Sequence, residues 1–183
     1  MAIYVTSDAH GHVHALDEAL SKISLTSDDT LYVLGDMIDR GPDPVGVINL
    51  VRSLPNAHVL KGNHEQIMLD AIIGQDPLDV ETWDINGGWS TREQLNAMEF
   101  EAYEELVRWM AGLPLYAVTA TDERPYLLVH AGIEMEAARA FLQEHNVDCS
   151  DGAGAVDADQ ELLAQMLAVQ SSDDLLWIRH GYW

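Results

Sequence analysis

The chain has 183 residues, of which 48% are hydrophobic and 22% are charged, a composition typical of an ordinary globular domain. It excludes a disordered, collagen-like or coiled-coil protein. The 31 acidic residues outnumber the 9 basic ones, which gives a formal net charge of −22. An electrostatic field of this sign repels nucleic acids and anionic membranes, so we expect neither of them as a partner.

The first part of the chain alternates short apolar runs with amphipathic segments. The pattern predicts strands over Ile3–Val5, Thr30–Leu34 and His58–Leu60, and helices over Val13–Ile23, Pro42–Leu54 and Glu65–Ile73. This alternation predicts a parallel sheet with right-handed crossover connections. In such sheets the functional side chains gather in the loops that follow the carboxyl ends of the strands.

The rest of the chain mixes helical patterns with further apolar runs. A mainly helical segment is predicted over Val80–Leu113, strands over Pro114–Thr119 and Pro125–Val129, helices over Glu134–His145 and Asp159–Val169, and a last apolar run over Leu175–Ile178. Thr121–Arg124 has the polarity of a hairpin turn, and Cys149–Asp157 is a Gly/Ala/Asp-rich loop. Because no internal repeat or long linker interrupts the pattern, we predict a single domain over residues 1–183.

Four polar clusters lie at the ends of predicted strands. They are Asp8-Ala9-His10-Gly11, Gly35-Asp36-Met37-Ile38-Asp39-Arg40-Gly41, Gly62-Asn63-His64-Glu65 and His130-Ala131-Gly132. Their carboxylate, amide and imidazole groups suit Mn, Fe or Zn, and the absence of thiolates argues against a structural zinc site. Asp36 follows the central strand, so it is the natural bridging carboxylate if two metals are bound. A protonated His64 held by Asp39 would then donate to a leaving oxygen, and Arg40 would bind phosphate oxygens.

These clusters resemble the motifs of the calcineurin-like metallophosphoesterases, in particular the bacterial and phage-lambda branch of the serine/threonine phosphoprotein phosphatases. The patterns D-x-H, G-D-x-x-D-R-G, G-N-H-E and H-x-G occur in the family's order, and the resemblance extends from Ile3 to about Arg179. It implies an α/β fold in which a central β-sandwich is flanked by helices.

The resemblance also implies how two divalent metal ions are held. The first metal would take Asp8, His10 and Asp36, and the second would take Asp36, Asn63 and His130. Manganese is the first choice of metal, with iron and zinc as the alternatives.

The remaining motif residues are implied to act on the phosphate group. His64 would be the general acid paired with Asp39, and Arg40 and Arg179 would contact the phosphate. Asn86-Gly87-Gly88 resembles a loop of the same branch, but the resemblance gives it no firm role.

One departure from the family pattern concerns the second metal. The family completes that site with a further histidine in a G-H-T-P-like motif, and this chain reaches Trp183 without such a motif. We therefore expect the final strands of the fold to be missing and the second metal to bind more weakly than the first. An uncovered sheet edge would favour self-association, and His12 and His180 are the candidate substitute ligands.

The function implied first is metal-dependent hydrolysis of phosphomonoesters, with phosphoserine or phosphothreonine in proteins, or a small phosphoester, as the substrate. The first alternative is a dinucleoside-polyphosphate hydrolase of the diadenosine-tetraphosphate type, which shares nearly all of these motifs. The intact Asp39-Arg40-Gly41 sequence favours the phosphatase. The second alternative is a truncated, inactive module that binds metal or phosphate.

The expected location is the cytoplasm. Cys149 has no second cysteine with which to form an internal disulfide, so a reducing compartment is expected. The N-terminus lacks the basic and apolar segments of a signal peptide, and no apolar stretch is long enough to span a bilayer.

Overall fold

The computed structural model describes residues 2–121, 124–149 and 158–178. Contacts divide the chain into two compact units, Met1–Leu113 and Pro114–Trp183. The predicted α/β class is confirmed, because helices and strands alternate along the chain. Organisation as one domain stays a prediction.

The first unit is built on a three-stranded parallel sheet. Its strands, in the order β1-β2-β3, are β1 (Ile3–Thr6), β2 (Thr30–Val33) and β3 (Ala57–Val59). Helix α1 (Val13–Ile23) connects β1 to β2, and helix α2 (Pro44–Ser53) connects β2 to β3. The parallel sheet predicted from the alternating pattern is confirmed, and so is the position of its carboxyl-end loops.

The helix predicted over Glu65–Ile73 is α3 (Asn63–Leu69), which continues into a π-helical turn (Asp70–Gly74). The helical segment predicted over Val80–Leu113 is also confirmed, and it consists of α4 (Pro77–Ile85), α5 (Trp89–Asn96) and α6 (Phe100–Ala111). Asp76 begins α4 because its side chain accepts a hydrogen bond from the amide of Leu78. Gly87 and Gly88 separate α4 from α5.

The core of the first unit lies between the sheet and these helices. Leu31 and Val33 of β2 are almost fully buried and pack with apolar side chains from the helices. Those helical side chains include Val47, Ile48, Met68, Trp83, Leu95, Leu106 and Met110. The core therefore holds the strand ends, and the polar clusters that follow them, in fixed positions.

The second unit contains an antiparallel pair of strands and three helices among its described residues. Strand β4 (Tyr116–Ala120) pairs with β5 (Pro125–Val129), and the helices are α7 (Met135–Glu144), α8 (Gln160–Ala168) and α9 (Ser172–Trp177). Its core is apolar and contains Ala138, Leu142, Ala158, Leu163, Met166, Leu167 and Leu175.

Two predicted segments of the second unit need comment. The last apolar run is helical as far as Trp177, because the Ser171 hydroxyl caps the amide of Asp174 and acidic residues occupy the first turn of α9. The turn over Thr121–Arg124 is closed by a 3.1 Å hydrogen bond between those two residues, while residues 122 and 123 lie outside the described part. Residues 150–157 of the predicted Gly/Ala/Asp-rich loop also lie outside it. Within the described ranges, no helix is both long and apolar enough to cross a membrane.

Candidate active site

The loops after β1 and β2 are joined by backbone hydrogen bonds beyond the strand ends. The amides of Asp8 and His10 donate to the carbonyl oxygens of Gly35 and Asp36, at 3.2 and 2.9 Å. The ladder of the parallel sheet thus continues into the two loops. It places the first and second polar clusters side by side.

Glu65 joins the loop after β2 to the loop after β3. Its buried carboxylate accepts three hydrogen bonds of 2.8 Å, from the backbone amides of Asp36, Met37 and Gly62. Burial raises the pKa of Glu65 and the Asp36 charge raises it further, while the amide donors act in the opposite direction. The amide of His64 donates in turn to Asp36 Oδ1 at 3.0 Å. Asp36 is therefore held through both its backbone and its side chain.

The close approach of these two loops requires glycine. A Cβ atom on Gly35 would overlap the backbone of Gly62, and a Cβ atom on Gly62 would overlap the backbone and carboxylate of Asp36. Gly35 also has a φ of +87°, a backbone conformation that a side chain would disfavour. The glycines that begin the second and third polar clusters are thus needed for packing.

Five candidate site residues adopt left-handed backbone. They are Asp8, His10, Asp36, Asp39 and Arg40, with φ values between 42° and 68°. Only three other non-glycine residues in the described ranges have positive φ. Such a conformation costs about 1–3 kcal/mol per residue and persists only where the surroundings enforce it. Its concentration here indicates that these loops are shaped by the positions their side chains must take.

His10, Asp36 and His64 form a buried cluster with the geometry of a metal site. Each offers one ligand atom, and these atoms lie within 4.8 Å of one another. His10 Nε2 is 3.5 Å from Asp36 Oδ2 and 3.8 Å from Asp8 Oδ1. The Asp8 side chain is 58% exposed and accepts a hydrogen bond from the Ser7 hydroxyl. The three residues predicted to hold the first metal are thus neighbours.

The imidazole of His10 is held in the form that binds metals. Its Nδ1 is 2.8 Å from the carbonyl oxygen of Ile38, which can only accept, so Nε2 presents its lone pair. Burial lowers the pKa of His10, and the charges of Arg40 and His64 lower it further, against the Ile38 hydrogen bond and the Asp36 charge. A neutral imidazole beside a carboxylate suits Mn, Fe or Zn, so these residues fit the predicted metal.

His64 has a different partner on its Nδ1 atom. That atom is 2.7 Å from Oδ2 of Asp39, and both side chains are buried. A carboxylate stabilises the positive charge that an imidazole gains on protonation, which favours an acid–base role. The geometry therefore supports His64 as a proton donor, and that role stays a prediction.

Arg40 lies between the two imidazoles. Its guanidinium nitrogens are 2.8 Å from His10 Nε2 and 2.7 Å from His64 Nε2. Because a guanidinium group can only donate, both Nε2 atoms act as acceptors. The Arg40 amide also donates to the carbonyl of Gly87 at 2.9 Å. The residue predicted to bind phosphate thus has its charge beside the two imidazoles of the cluster.

The other predicted site residues are distributed as follows. Asn63 is buried and is the first residue of α3, and His130 directly follows β5 in the second unit and is half-buried. Arg179 and His180 lie outside the described residues. Binding of a second metal by Asp36, Asn63 and His130 therefore stays a prediction, as does the contact of Arg179 with phosphate.

Three buried residues that support the site have no role in the sequence prediction. The signal for Glu65 was its place three residues after Gly62 at a helix start, which is typical of a capping box. Trp83 and Thr91 donate hydrogen bonds to the Asp39 carboxylate. The sequence pattern places Trp83 within the predicted helical segment Val80–Leu113 and gives it no role in the site. Thr91 lies 52 residues from Asp39, and no local pattern connects the two.

Two curated relatives of this chain are symmetrical bis(5'-nucleosyl)-tetraphosphatases. The chain is 30% identical over 151 residues to a symmetrical bis(5'-nucleosyl)-tetraphosphatase from Erwinia tasmaniensis, covering 79% of this chain and 50% of the relative. It is 32% identical over 138 residues to the protein of that description from Proteus mirabilis, covering 73% of this chain and 45% of the relative. The chain thus spans about half the length of these relatives.

The fold has a solved counterpart. A protein serine/threonine phosphatase from Saccharomyces cerevisiae, described as similar to human phosphatase PP5, aligns with 97% of this chain and 51% of its own. The TM-score is 0.57 and the sequence identity is 18%, so this likeness concerns the fold alone. The calcineurin-like phosphoesterase profile matches residues 1–181, which include all four polar clusters. The chain belongs to the calcineurin-like phosphoesterase family.

Proposed function

We propose that this chain is a metal-dependent hydrolase of phosphoric anhydrides and esters, with dinucleoside polyphosphates as its first substrate class. The buried cluster of His10, Asp36 and His64, with Asp39 behind His64, carries the proposal. A divalent cation held by Asp8, His10 and Asp36, manganese being the first to test, would supply Lewis-acid activation of water and of the phosphoryl oxygens.

The chain's own residues would perform the proton transfer and bind the phosphate. The oxygen of a water molecule forms a new bond to phosphorus and loses a proton to solvent, while the bond from phosphorus to the leaving oxygen breaks. When Arg40 turns to the phosphate, His64 Nε2 takes up a proton from water and donates it to that leaving oxygen, while Asp39 stabilises the imidazolium through Nδ1. The two terminal guanidinium nitrogens of Arg40 leave the imidazoles of His10 and His64 and donate hydrogen bonds to two phosphoryl oxygens. The spacing of these two nitrogens matches that of the two oxygens.

Dinucleoside polyphosphates are placed first among the substrate classes because of what the curated relatives are described as cleaving. Both curated relatives are described as symmetrical bis(5'-nucleosyl)-tetraphosphatases, which supports the alternative in the sequence analysis more than its phosphoprotein reading. Symmetrical cleavage of a dinucleoside tetraphosphate breaks the central anhydride and releases two nucleoside diphosphates. The polyphosphate carries several negative charges, so Arg40 would offset strong repulsion from this acidic chain.

A phosphoprotein substrate is the second candidate, and the geometry of His64 favours it. A serine or threonine alkoxide is a much poorer leaving group than a nucleotide phosphate, so its departure depends more on a proton donor. The buried His64–Asp39 pair is the kind of fixed donor that such a substrate needs. The Asp39-Arg40-Gly41 sequence is also intact.

A comparison of kcat/KM between substrate classes tests the proposal. Purified chain would be loaded with manganese, and kcat/KM would be measured for diadenosine tetraphosphate, a phosphoserine peptide and p-nitrophenyl phosphate. We expect the highest kcat/KM with the tetraphosphate and nucleoside diphosphate as its product. Asp36→Asn should abolish all three activities, while Asp28→Asn, which changes an exposed carboxylate in the same unit, should leave them intact.

Three results would overturn parts of this proposal. A higher kcat/KM for the phosphoserine peptide would make the second candidate the function. Nucleoside mono- and triphosphate as products would contradict symmetrical cleavage. Absence of turnover with metal bound would leave the inactive binding module of the sequence analysis. Cytoplasmic location and self-association stay predictions alongside the proposal.

A further inference from the structure

The carboxylate of Asp39 is saturated with hydrogen-bond donors. Oδ1 accepts from Thr91 Oγ1 at 2.6 Å and from Trp83 Nε1 at 3.0 Å, while Oδ2 accepts from His64 Nδ1 at 2.7 Å. Trp83 Nε1 is also 3.2 Å from Oδ2. An ionised carboxylate has about four acceptor positions, so these contacts use nearly all of them. All four side chains are buried, which leaves water little part in the network.

Thr91 constrains Asp39 in two ways. Its hydroxyl oxygen accepts a 2.9 Å hydrogen bond from the amide of Asp39, and its hydrogen is donated to Oδ1 of the same residue. The hydroxyl therefore bridges the backbone and the side chain of Asp39. This matters because Asp39 has left-handed backbone, with a φ of 68°, and needs such support to keep it.

Trp83 reaches Asp39 because Gly88 has no side chain. A Cβ atom on Gly88 would overlap the indole ring of Trp83 around its Nε1 atom. The Asn86-Gly87-Gly88 sequence, which had no firm role in the sequence analysis, thus lies between the two residues that hold Asp39. In the same turn, the carbonyl oxygen of Gly87 accepts a hydrogen bond from the backbone amide of Arg40.

We propose that Thr91 and Trp83 are positioning residues for the general acid. They occupy Oδ1 and fix the plane of the Asp39 carboxylate, so that Oδ2 stays directed at His64 Nδ1. His64 Nε2 is then kept pointing toward the place where the leaving oxygen departs. The catalytic consequence rests on the proposed function, whereas the positioning itself is a property of the chain alone.

Proton NMR tests the positioning without any substrate or metal. A ring N–H hydrogen-bonded to a buried carboxylate gives a strongly downfield resonance, which ¹⁵N-histidine labelling and its loss in His64→Gln would assign to His64. Thr91→Val keeps the shape of the side chain but removes the hydroxyl, so we expect this resonance to move upfield and exchange faster with water. Thr91→Ser retains the hydroxyl and should restore the wild-type signal. Trp83→Phe should shift it in the same direction as Thr91→Val.

Ser90→Ala is the matched control. Ser90 precedes Thr91, is equally buried, and its hydroxyl has no hydrogen-bond partner within the described structure. Its removal should leave the His64 resonance unchanged. Circular dichroism melts would show that each variant is folded, and Trp83→Phe provides an independent arm if Thr91→Val unfolds.

Turnover provides the second readout. Thr91→Val should lower kcat for a phosphoserine substrate by about 10- to 100-fold, the usual effect of losing a group that orients a functional residue. The loss for p-nitrophenyl phosphate should be much smaller, because that leaving group needs little protonation.

The two readouts separate failure of this inference from failure of the proposed function. An unchanged His64 resonance in both Thr91→Val and Trp83→Phe, or no such resonance in the unsubstituted chain, overturns the positioning role. Equal losses for good and poor leaving groups overturn its link to the general acid. A shifted resonance in a chain that hydrolyses no phosphate compound upholds the positioning and refutes only the proposed function.

Discussion

The two compact units bury very different kinds of side chain. Among the described residues, the first unit buries eight polar or charged residues, whereas the second buries only Gln170. Five of those eight are candidate site residues: His10, Asp36, Asp39, Asn63 and His64. Burying a polar group costs free energy unless the group is hydrogen-bonded. A network of buried polar groups is therefore stable only where its members are hydrogen-bonded to one another or to the backbone.

This difference in buried side chains indicates that the two units contribute to the site in different ways. The first unit positions its functional groups through a hydrogen-bond network that includes buried carboxylates. The second unit is stabilised by an apolar core, and its one candidate metal ligand is His130. We infer that the first metal depends on the first unit alone. The predictions below test that inference, beginning with the largest effect.

Asp36→Asn should have the largest effect because Asp36 is the predicted ligand of both metals. Its amide keeps the shape of the side chain but loses the charge that attracts the cations. We expect metal affinity to fall by more than the 10- to 100-fold typical of an outer partner, and turnover to fall to background. Calorimetric titration with manganese would measure this, with Asp28→Asn as the control. Retention of both metals by Asp36→Asn would contradict its bridging role.

His64→Ala should leave metal binding almost unchanged while turnover falls. Loss of a general acid typically costs about 10²- to 10⁴-fold in rate, and the loss should be larger for poorer leaving groups. Metal content would be measured by elemental analysis beside kcat for phosphoserine and p-nitrophenyl phosphate. His14→Ala, at an exposed position of α1, is the matched control. If His64→Ala instead empties the site, then His64 is a metal ligand, which its place in the 4.8 Å cluster would accommodate.

His130→Ala should weaken one metal and spare the other. His130 is the only ligand predicted in the second unit, while Asp8, His10 and Asp36 remain for the first metal. We expect a titration with two binding steps to lose the weaker one, with affinity reduced by at least about 100-fold. His145→Ala, in the same unit, should change neither step. Loss of both metals in His130→Ala would break the comparison between the units, since the second would then be essential to the whole site.

Glu65→Gln should have the smallest effect on function and should act first on stability. The carboxylate accepts three amide hydrogen bonds, but a glutamine amide has one accepting oxygen and one donating nitrogen, so at least one backbone amide would face another donor. A buried group left without its partner costs about 1–3 kcal/mol in the free energy of unfolding. Urea denaturation would measure the change, with the exposed Glu104→Gln as control. An unchanged free energy of unfolding would show that the two loops hold Asp36 without Glu65.

How far the sequence predicts this molecule depends on the range of the interaction. The alternation of Val, Ile and Leu with helical segments sufficed for the parallel sheet, because periodicity is a local property. The neighbouring positions of His10 and Asp36 followed from the rule that strand ends share one edge. Thr91 could not be found in this way, since its contact with Asp39 spans 52 residues and depends on how α5 packs. The helix Ser172–Trp177 was predicted only as an apolar run over Leu175–Ile178, although Ser171 and the acidic first turn signal a helix start.

The left-handed backbone of the site has a consequence for how the chain tolerates mutation. At Asp8, whose side chain is exposed, the positive φ disfavours β-branched side chains and suits glycine or asparagine, whatever chemistry the position performs. In a library scored only for folded protein, glycine should therefore be enriched at this position and valine depleted. Scored for turnover, the same glycine variant should disappear. Selection for abundance and selection for activity would thus diverge at Asp8, and that divergence would mark the site without knowledge of the substrate.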